Sequence, residues 1–512
     1  NLPLAGDGGL EARFAVGLAE QAEIPDILES LKGEDFSVSS RRWTEQLQVS
    51  MGDVPVIRRE SPWHAYYLRS SGVWDDYFGC RYVPQGSAYS YVHGIQGAPR
   101  DYAFAAVPIT YFHPEGSKEM LRLIMRMTKP DGEMFYAHAG QGACVSAVVH
   151  RAPTDLPLFF LWALTEYVWA SGDSGFLSEE VPFYTGGKGR LSSSVMDRAL
   201  LAWEWMRDRV GTGPHGMLRA GSGDWNDPIS TMVAHRGRFT RRGESGFNTA
   251  MALYVLPRAA MLLEPNHPLE AAGIKKYCAA LRAAMENAWN GRWFLRGWDG
   301  GGMPLGDGHL FLDCQVWCLI SGVGTDEMKR RLVREIRERC DLPSRFGATV
   351  LNRPHRVRFG ILPGGWDCNG GVWAAINALL AWGYAVCDPR LAPGILEKQT
   401  LAAHARAYPG VWYGIWSGPD AYNSYMGEGE GETFVHPATP MREYPLMNSN
   451  AHAGPLLAIL KVLGVEAGPT GIRVEPRLPE GSGPWEIRTP LLQAEGKGGR
   501  VLSLKVIPVN NT

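Results

Sequence analysis

The run Leu156-Pro157-Leu158-Phe159-Phe160-Leu161-Trp162-Ala163-Leu164-Thr165-Glu166-Tyr167-Val168-Trp169-Ala170-Ser171 carries its apolar side chains at helical spacing. Comparable runs occupy 10–32, 100–112, 117–128, 192–210, 246–263, 268–289, 325–340, 371–387 and 446–463. Between them lie loops rich in Gly, Pro and aromatics at 72–99, 213–244, 291–310, 341–370 and 408–445. Loops of this length in a compact helical protein usually carry function. The alternation predicts a mainly α protein in which helical hairpins close into a ring, with the loops gathered around a pocket at one end. A linker helix is expected at 1–32 and the barrel at 33–465. Short strands packed on the barrel follow at 466–512, marked by Trp485-Glu486-Ile487-Arg488 and by the run 501–507.

Lys and Arg number 51 against 53 Asp and Glu, a formal charge of −2. No long run of one sign stands out as a nucleic-acid or membrane footprint. A neutral small molecule or glycan fits this balance better than a polyanion, and 18 Trp offer flat faces for sugar C–H groups, although a large core also uses them. Cys80, Cys144, Cys278, Cys314, Cys318, Cys340, Cys368 and Cys387 show no zinc-type spacing and read as buried thiols, with Cys314 and Cys318 on one helical face. No metal or cofactor is expected. The absence of a long apolar stretch and of a signal core predicts a soluble, cytoplasmic protein, with a removed signal peptide as the alternative because the sequence starts at Asn1.

The sharpest local signal is Arg219-Ala220-Gly221-Ser222-Gly223-Asp224-Trp225-Asn226-Asp227-Pro228. Two carboxylates, an amide and an indole fall in four positions inside a long loop. Acetal cleavage needs an acid to protonate the leaving oxygen, and a carboxyl in a partly dry aromatic site can supply that proton. The same residues also fit an Asp- and Asn-rich turn around a buried Trp.

The setting of this motif resembles the inverting cellobiose and chitobiose phosphorylase family. The matches run in order from Pro62-Trp63, Cys80-Arg81 and Gln85-Gly86 to Gly97-Ala98-Pro99-Arg100-Asp101, then Asp155-Leu156-Pro157-Leu158-Phe159 and Ser171-Gly172-Asp173. They continue through the Asp224 motif, Gly243-Glu244-Ser245, the stretch 288–296, Leu310-Phe311-Leu312-Asp313-Cys314-Gln315-Val316-Trp317, Asn369-Gly370-Gly371-Val372-Trp373 and Tyr408-Pro409-Gly410-Val411. The resemblance implies an (α/α)6 barrel in which Asp227 protonates the glycosidic oxygen. It also implies that Arg100, Asp101 and Trp225 hold the sugar, with Asp224, Asn226 and Gln315 as further contacts, and that the protein often forms homodimers.

Two departures from the family matter. Its phosphate site uses a His shortly after the Asn-Gly-Gly segment and a Thr-Gly-Thr turn near the barrel's end. Here Ala374-Ala375 and Leu446-Met447-Asn448-Ser449-Asn450-Ala451-His452-Ala453 stand in those places, removing charge-assisted bonds that a phosphate dianion needs. The family's N-terminal β-sandwich is also missing ahead of residue 1, so a separate chain or cleaved fragment is an expected partner.

The reading is therefore an inverting hydrolase of a β-linked glucoside or oligosaccharide. The alternatives are a phosphorylase with an altered phosphate site and a non-catalytic sugar-binding subunit. An inverting hydrolase needs a second carboxylate to activate water. Glu432, in the Gly-Glu repeat Gly427-Glu428-Gly429-Glu430-Gly431-Glu432, is the first candidate, and Glu443 is the second. Trp412 and Trp416 are candidate stacking platforms for the leaving group. His93, His436 and His452 lie near these loops and read as structural.

Overall fold

A computed structural model describes residues 21–32, 41, 44–87, 89–90, 94–146, 153–186, 191–355, 362–411, 416–433 and 447–507. Among these, twelve helices form two concentric rings. The inner ring comprises α2 (Pro99–Phe112), α4 (Leu156–Ser171), α6 (Gly246–Leu263), α8 (Leu312–Ser321), α10 (Ala374–Cys387) and α12 (Ser449–Val462). Each packs on the next, and α12 closes back on α2. The outer ring comprises α1 (Ile57–Ser70), α3 (Pro114–Arg126), α5 (Val195–Glu204), α7 (Pro268–Asn287), α9 (Asp326–Ile336) and α11 (Ala392–Lys398), each against one or two neighbouring inner helices. This is the (α/α)6 barrel that the resemblance implies.

The two rings differ because of what surrounds them. Every residue of α4 is buried, whereas α9 buries Leu332, Val333, Glu335 and Ile336 and leaves its basic face outward. A helix covered on all sides has no polar stripe, and one on the outside needs one. The single charge of α4, Glu166, is neutralised inside the barrel by Lys461 of α12 at 2.7 Å and Arg258 of α6 at 3.0 Å, and Tyr111 Oη donates to it at 2.7 Å. Pro99, Pro114 and Pro268 open α2, α3 and α7, where the missing N–H costs nothing. Gly172, with φ 74°, ends α4 in the left-handed conformation.

The C-terminal strands are joined by one from the other end of the chain. The antiparallel sheet runs β1 (Gln48–Met51), β2 (Pro484–Arg488), β3 (Leu492–Lys497), β4 (Arg500–Val506), with Val49 opposite Ile487. Helix Ile24–Lys32 lies within the segment read as a linker helix. All eight cysteines are free thiols, and no helix of the described residues is long and apolar enough to cross a membrane.

Candidate active site

The six inner helices run parallel, and the residues singled out from sequence cluster at their N-terminal ends. Arg100 and Asp101 lie in the first turn of α2, Asp155 caps α4, Ser245 caps α6, Asp313 opens α8, and Trp373 and Asn448 precede α10 and α12. Helix N-termini place partial positive charge at this mouth, which suits carboxylates and sugar oxygens.

Asp227 begins a short 3-10 turn, Asp227–Thr231, with Pro228 behind it. Its side chain is 38% exposed. Arg100 Nη1 donates to Oδ1 and Tyr136 Oη donates to Oδ2, both at 2.9 Å, so the carboxylate is held in one orientation with an open face. The same Arg100 nitrogen bonds the carbonyls of Asp224 at 3.1 Å and Trp225 at 2.9 Å, which ties the motif loop to α2. Arg100 Nη2 is buried and has no hydrogen-bond partner among the described residues. Leaving a buried donor unpaired costs about 1–3 kcal/mol, a cost that a sugar hydroxyl would remove.

Asp101 points away from Asp227 into a second group of acids. Asn450 Nδ2 donates to Asp101 Oδ1 at 2.8 Å and to Asp420 Oδ1 at 2.9 Å. Asp420 also accepts from Tyr89 Oη at 2.5 Å and Gln85 Nε2 at 3.4 Å. Burial, and after it the Asp420 charge, pushes the Asp101 carboxyl well above the usual range, with Arg100 opposing. Burial likewise raises Asp420 despite the donors Tyr89, Asn450, Gln85 and Asn448. Asp367, half-buried in the turn before α10, is pushed up to about 6 by burial, with the charges of Asp227 and Asp420 adding to it. Asp101, Asp367 and Asp420 thus lie within electrostatic reach of the acid or of one another, and Arg100 is the cation bonded to Asp227 beside them.

Some residues expected to contact sugar do other work. Asp224 is fully buried and spent on Arg296, at 2.5 and 2.9 Å, on Ser245 Oγ at 2.5 Å and on Asn226 N at 3.0 Å. Gln315 is also fully buried, accepting from Phe294 N at 3.0 Å and donating to Phe294 O at 2.8 Å. Neither offers atoms to a ligand, so both are corrected from contacts to supports of the loop. Trp225 is 9% exposed and packs edge-on against Trp373 at 4.9 Å, so packing takes most of its surface. Asn226 is 2% exposed.

Glu432 folds back in its own turn, its carboxylate beside the α-carbon of Gly429 and its carbonyl accepting from Asn423 N at 2.7 Å. Trp416 stands at the rim, 68% exposed, and its carbonyl accepts from Trp63 Nε1 at 2.7 Å. Trp412, Glu443, His93 and His436 lie outside the described residues. His452 is buried on Tyr67, bonded to His64 and Ser417, and held neutral by burial, a structural arrangement. Sequence reasoning assigned no role to Tyr136, Asp367, Asp420 or Asn450. An Asp two residues before Asn369-Gly370-Gly371 was the available hint for Asp367.

Among solved structures, the chain is similar to a mannosylglycerate hydrolase of Thermus thermophilus, with a TM-score of 0.51, 12% identity, and coverage of 78% of this chain and 98% of that one. It is also similar to a glycosidase in complex with glucose, with a TM-score of 0.50, 13% identity, and coverage of 84% and 99%. These likenesses establish the fold alone. Among curated proteins, it is 31% identical to a 3-O-beta-D-glucopyranosyl-beta-D-glucuronide phosphorylase of Paenibacillus borealis, over 44% of this chain and 27% of the relative. It is 24% identical to a solabiose phosphorylase of the same organism, over 55% and 37%. The chain therefore spans well under half the length of these relatives. Residues 71–364 match the model of the glycosyl hydrolase 94 superfamily catalytic domain, so the chain belongs to that family of glycoside-active enzymes.

Proposed function

We propose that this barrel hydrolyses a β-linked glucoside or oligosaccharide with inversion, with Asp227 as the general acid. The observation that supports hydrolysis over phosphorolysis is the acidic wall of Asp101, Asp367 and Asp420. A phosphate dianion is repelled by the ionised Asp367, and the Asp101–Asp420 pair offers it no cation in compensation, whereas a neutral water is not repelled. The first turn of α12 carries Asn450, which bridges two aspartates, where the phosphorylase pattern has hydroxyls for an anion. Arg100 and Asp101 present donors and an acceptor to the sugar of the non-reducing subsite, and Trp416 offers a stacking face on the leaving-group side.

Phosphorolysis is the second reading, because the curated relatives are phosphorylases of β-glucosides. Incubating the protein with β-linked glucobioses, with and without phosphate, separates the two. Free sugar released in both conditions supports hydrolysis. Sugar 1-phosphate formed only when phosphate is present would sink that reading. Asp227→Asn should slow hydrolysis of a disaccharide on the order of 10³-fold, and much less for a 2,4-dinitrophenyl glucoside, whose leaving group needs no proton. Equal losses on both substrates would argue against the acid role.

A further inference from the structure

We propose that Asp367 is the base that deprotonates the attacking water, an inference that rests on the hydrolytic reading above. The turn that carries it is unusual in its backbone. Asp367 has φ 46°, the left-handed region, where a β-carbon costs roughly 1–2 kcal/mol. The turn is held there from all sides. Gly371 N donates to Asp367 O at 2.8 Å, and Gly365 N donates to Asn369 O at 2.9 Å. The Asn369 amide accepts from His355 N at 2.7 Å and donates to the carbonyls of His355 at 3.1 Å and Leu362 at 2.9 Å. Ser424 N and Trp366 Nε1 bind the turn to the loop beyond Asp420, at 2.8 and 2.9 Å.

This rigid support carries a carboxylate with capacity to spare. Oδ1 accepts from Cys368 N at 2.6 Å, and the Cys368 thiol is the other hydrogen-bonding group on the carboxyl, which leaves acceptor positions for a water. The side chain is half-buried and lies within electrostatic reach of Asp227, Asp420 and Tyr89. Its turn and the Asp227 loop approach each other through the Trp225–Trp373 ring pair. The two loops touch through these rings, which brings Asp367 within electrostatic reach of the acid, and an inverting site sets its base across a water from that acid.

The competing acids are less available. Asp420 spends both oxygens on Tyr89, Asn450 and Gln85, and Asp101 is buried against Asn450. The Glu432 carboxylate is turned toward Gly429 in its own loop. With its pKa near 6, Asp367 is ionised at neutral pH and basic enough to take a proton.

In the step itself, the water oxygen bonds to the anomeric carbon on the face opposite the leaving group while one water proton passes to Asp367. The glycosidic C–O bond breaks, and its oxygen takes the Asp227 proton. The products are a sugar of inverted anomeric configuration and the free leaving sugar, and exchange with solvent returns the proton to Asp227 and removes it from Asp367.

The test uses Asp367→Asn and Asp367→Ala, with β-linked glucobioses and an aryl β-glucoside as substrates. Asn also tolerates the left-handed backbone, so Asp367→Asn should melt with the parent while hydrolysing on the order of 10³-fold more slowly and losing the rise of kcat/KM through pH 6. Azide needs no base, so Asp367→Ala with azide should regain turnover of the aryl glucoside and yield an α-glucosyl azide. A folded Asp367→Asn that retains activity within threefold of the parent overturns the base assignment while leaving hydrolysis intact. So does a slowed Asp367→Ala that azide neither accelerates nor diverts. A parent that turns over only with phosphate overturns the hydrolytic reading and this inference with it.

Discussion

Two pairs of buried aspartates stand close together at the mouth of the barrel, each joined by one nitrogen-bearing side chain. In the first, Arg296 bonds Asp224 at 2.5 Å and Asp313 at 3.0 Å, all three side chains being almost fully buried. In the second, the Asn450 amide joins Asp101 to Asp420 at 2.8 and 2.9 Å. The difference is one positive charge. The guanidinium outweighs the effect of burial on Asp224 and holds its carboxyl below the ordinary range, while burial still raises Asp313. The amide has no charge to give, and Asp101 and Asp420 are both raised. A group that holds its own cation and whose bonds are spent is scaffold. A group left acidic, next to an unpaired Arg100 nitrogen and at a helix mouth, is poised for a ligand.

The largest effect should come from removing the matching charge. Arg296→Met leaves two buried carboxylates without a cation, and breaking a buried ion pair on one side costs about 3–5 kcal/mol. Denaturant unfolding should show that loss. A loss below 1 kcal/mol would place the Asp224 pair on the same footing as the other. Next comes Asp101→Asn, which should reduce kcat/KM by roughly 10²-fold or more, as expected when a sugar hydroxyl loses its partner. It should not destabilise the fold at neutral pH, because it relieves two facing acids. If it lowers both activity and stability, Asp101 is scaffold as well.

The same contrast explains what was legible in the sequence. Asp224, Trp225, Asn226 and Asp227 are adjacent, and Arg100 and Asp101 are adjacent, so the ordered motifs bring them into view. Asp367, Asp420 and Asn450 meet only when the loops before α10 and α12 fold over the mouth, and no local spacing records that meeting. The burial of Gln315 and Asp224 was hidden for the converse reason: a motif shows that a residue is placed, but not whether a ligand or Arg296 takes its bonds. The same holds for the fold. The apolar runs outline most of the ring, but α1 is too polar, with Arg58, Arg59 and Glu60 in its first turns and Pro62 following, to stand out by period. The pairing of β1 with β2 joins the two ends of the chain, and no local pattern encodes it.

The smallest effects concern how stability depends on pH. A carboxyl whose folded pKa is raised keeps its proton in the fold where the unfolded chain has lost it. The fold then binds more protons, and stability falls as pH rises from about 4 into the neutral range. The parent's melting temperature should decline over that interval, and Asp101→Asn should flatten the decline. Tyr89→Phe should do the opposite. Its hydroxyl donates to Asp420 at 2.5 Å and stabilises the ionised form, so removing it raises the Asp420 carboxyl further. The cost should be on the order of 1 kcal/mol in alkaline buffer and less in acid, where the carboxyl is protonated in either protein. Melting curves at pH 5 and pH 8 measure both slopes. A Tyr89→Phe slope no steeper than the parent's would mean that Asp420 draws its stability from Asn450 and Gln85 alone, and that the second pair is closer in kind to the first than its missing charge implies.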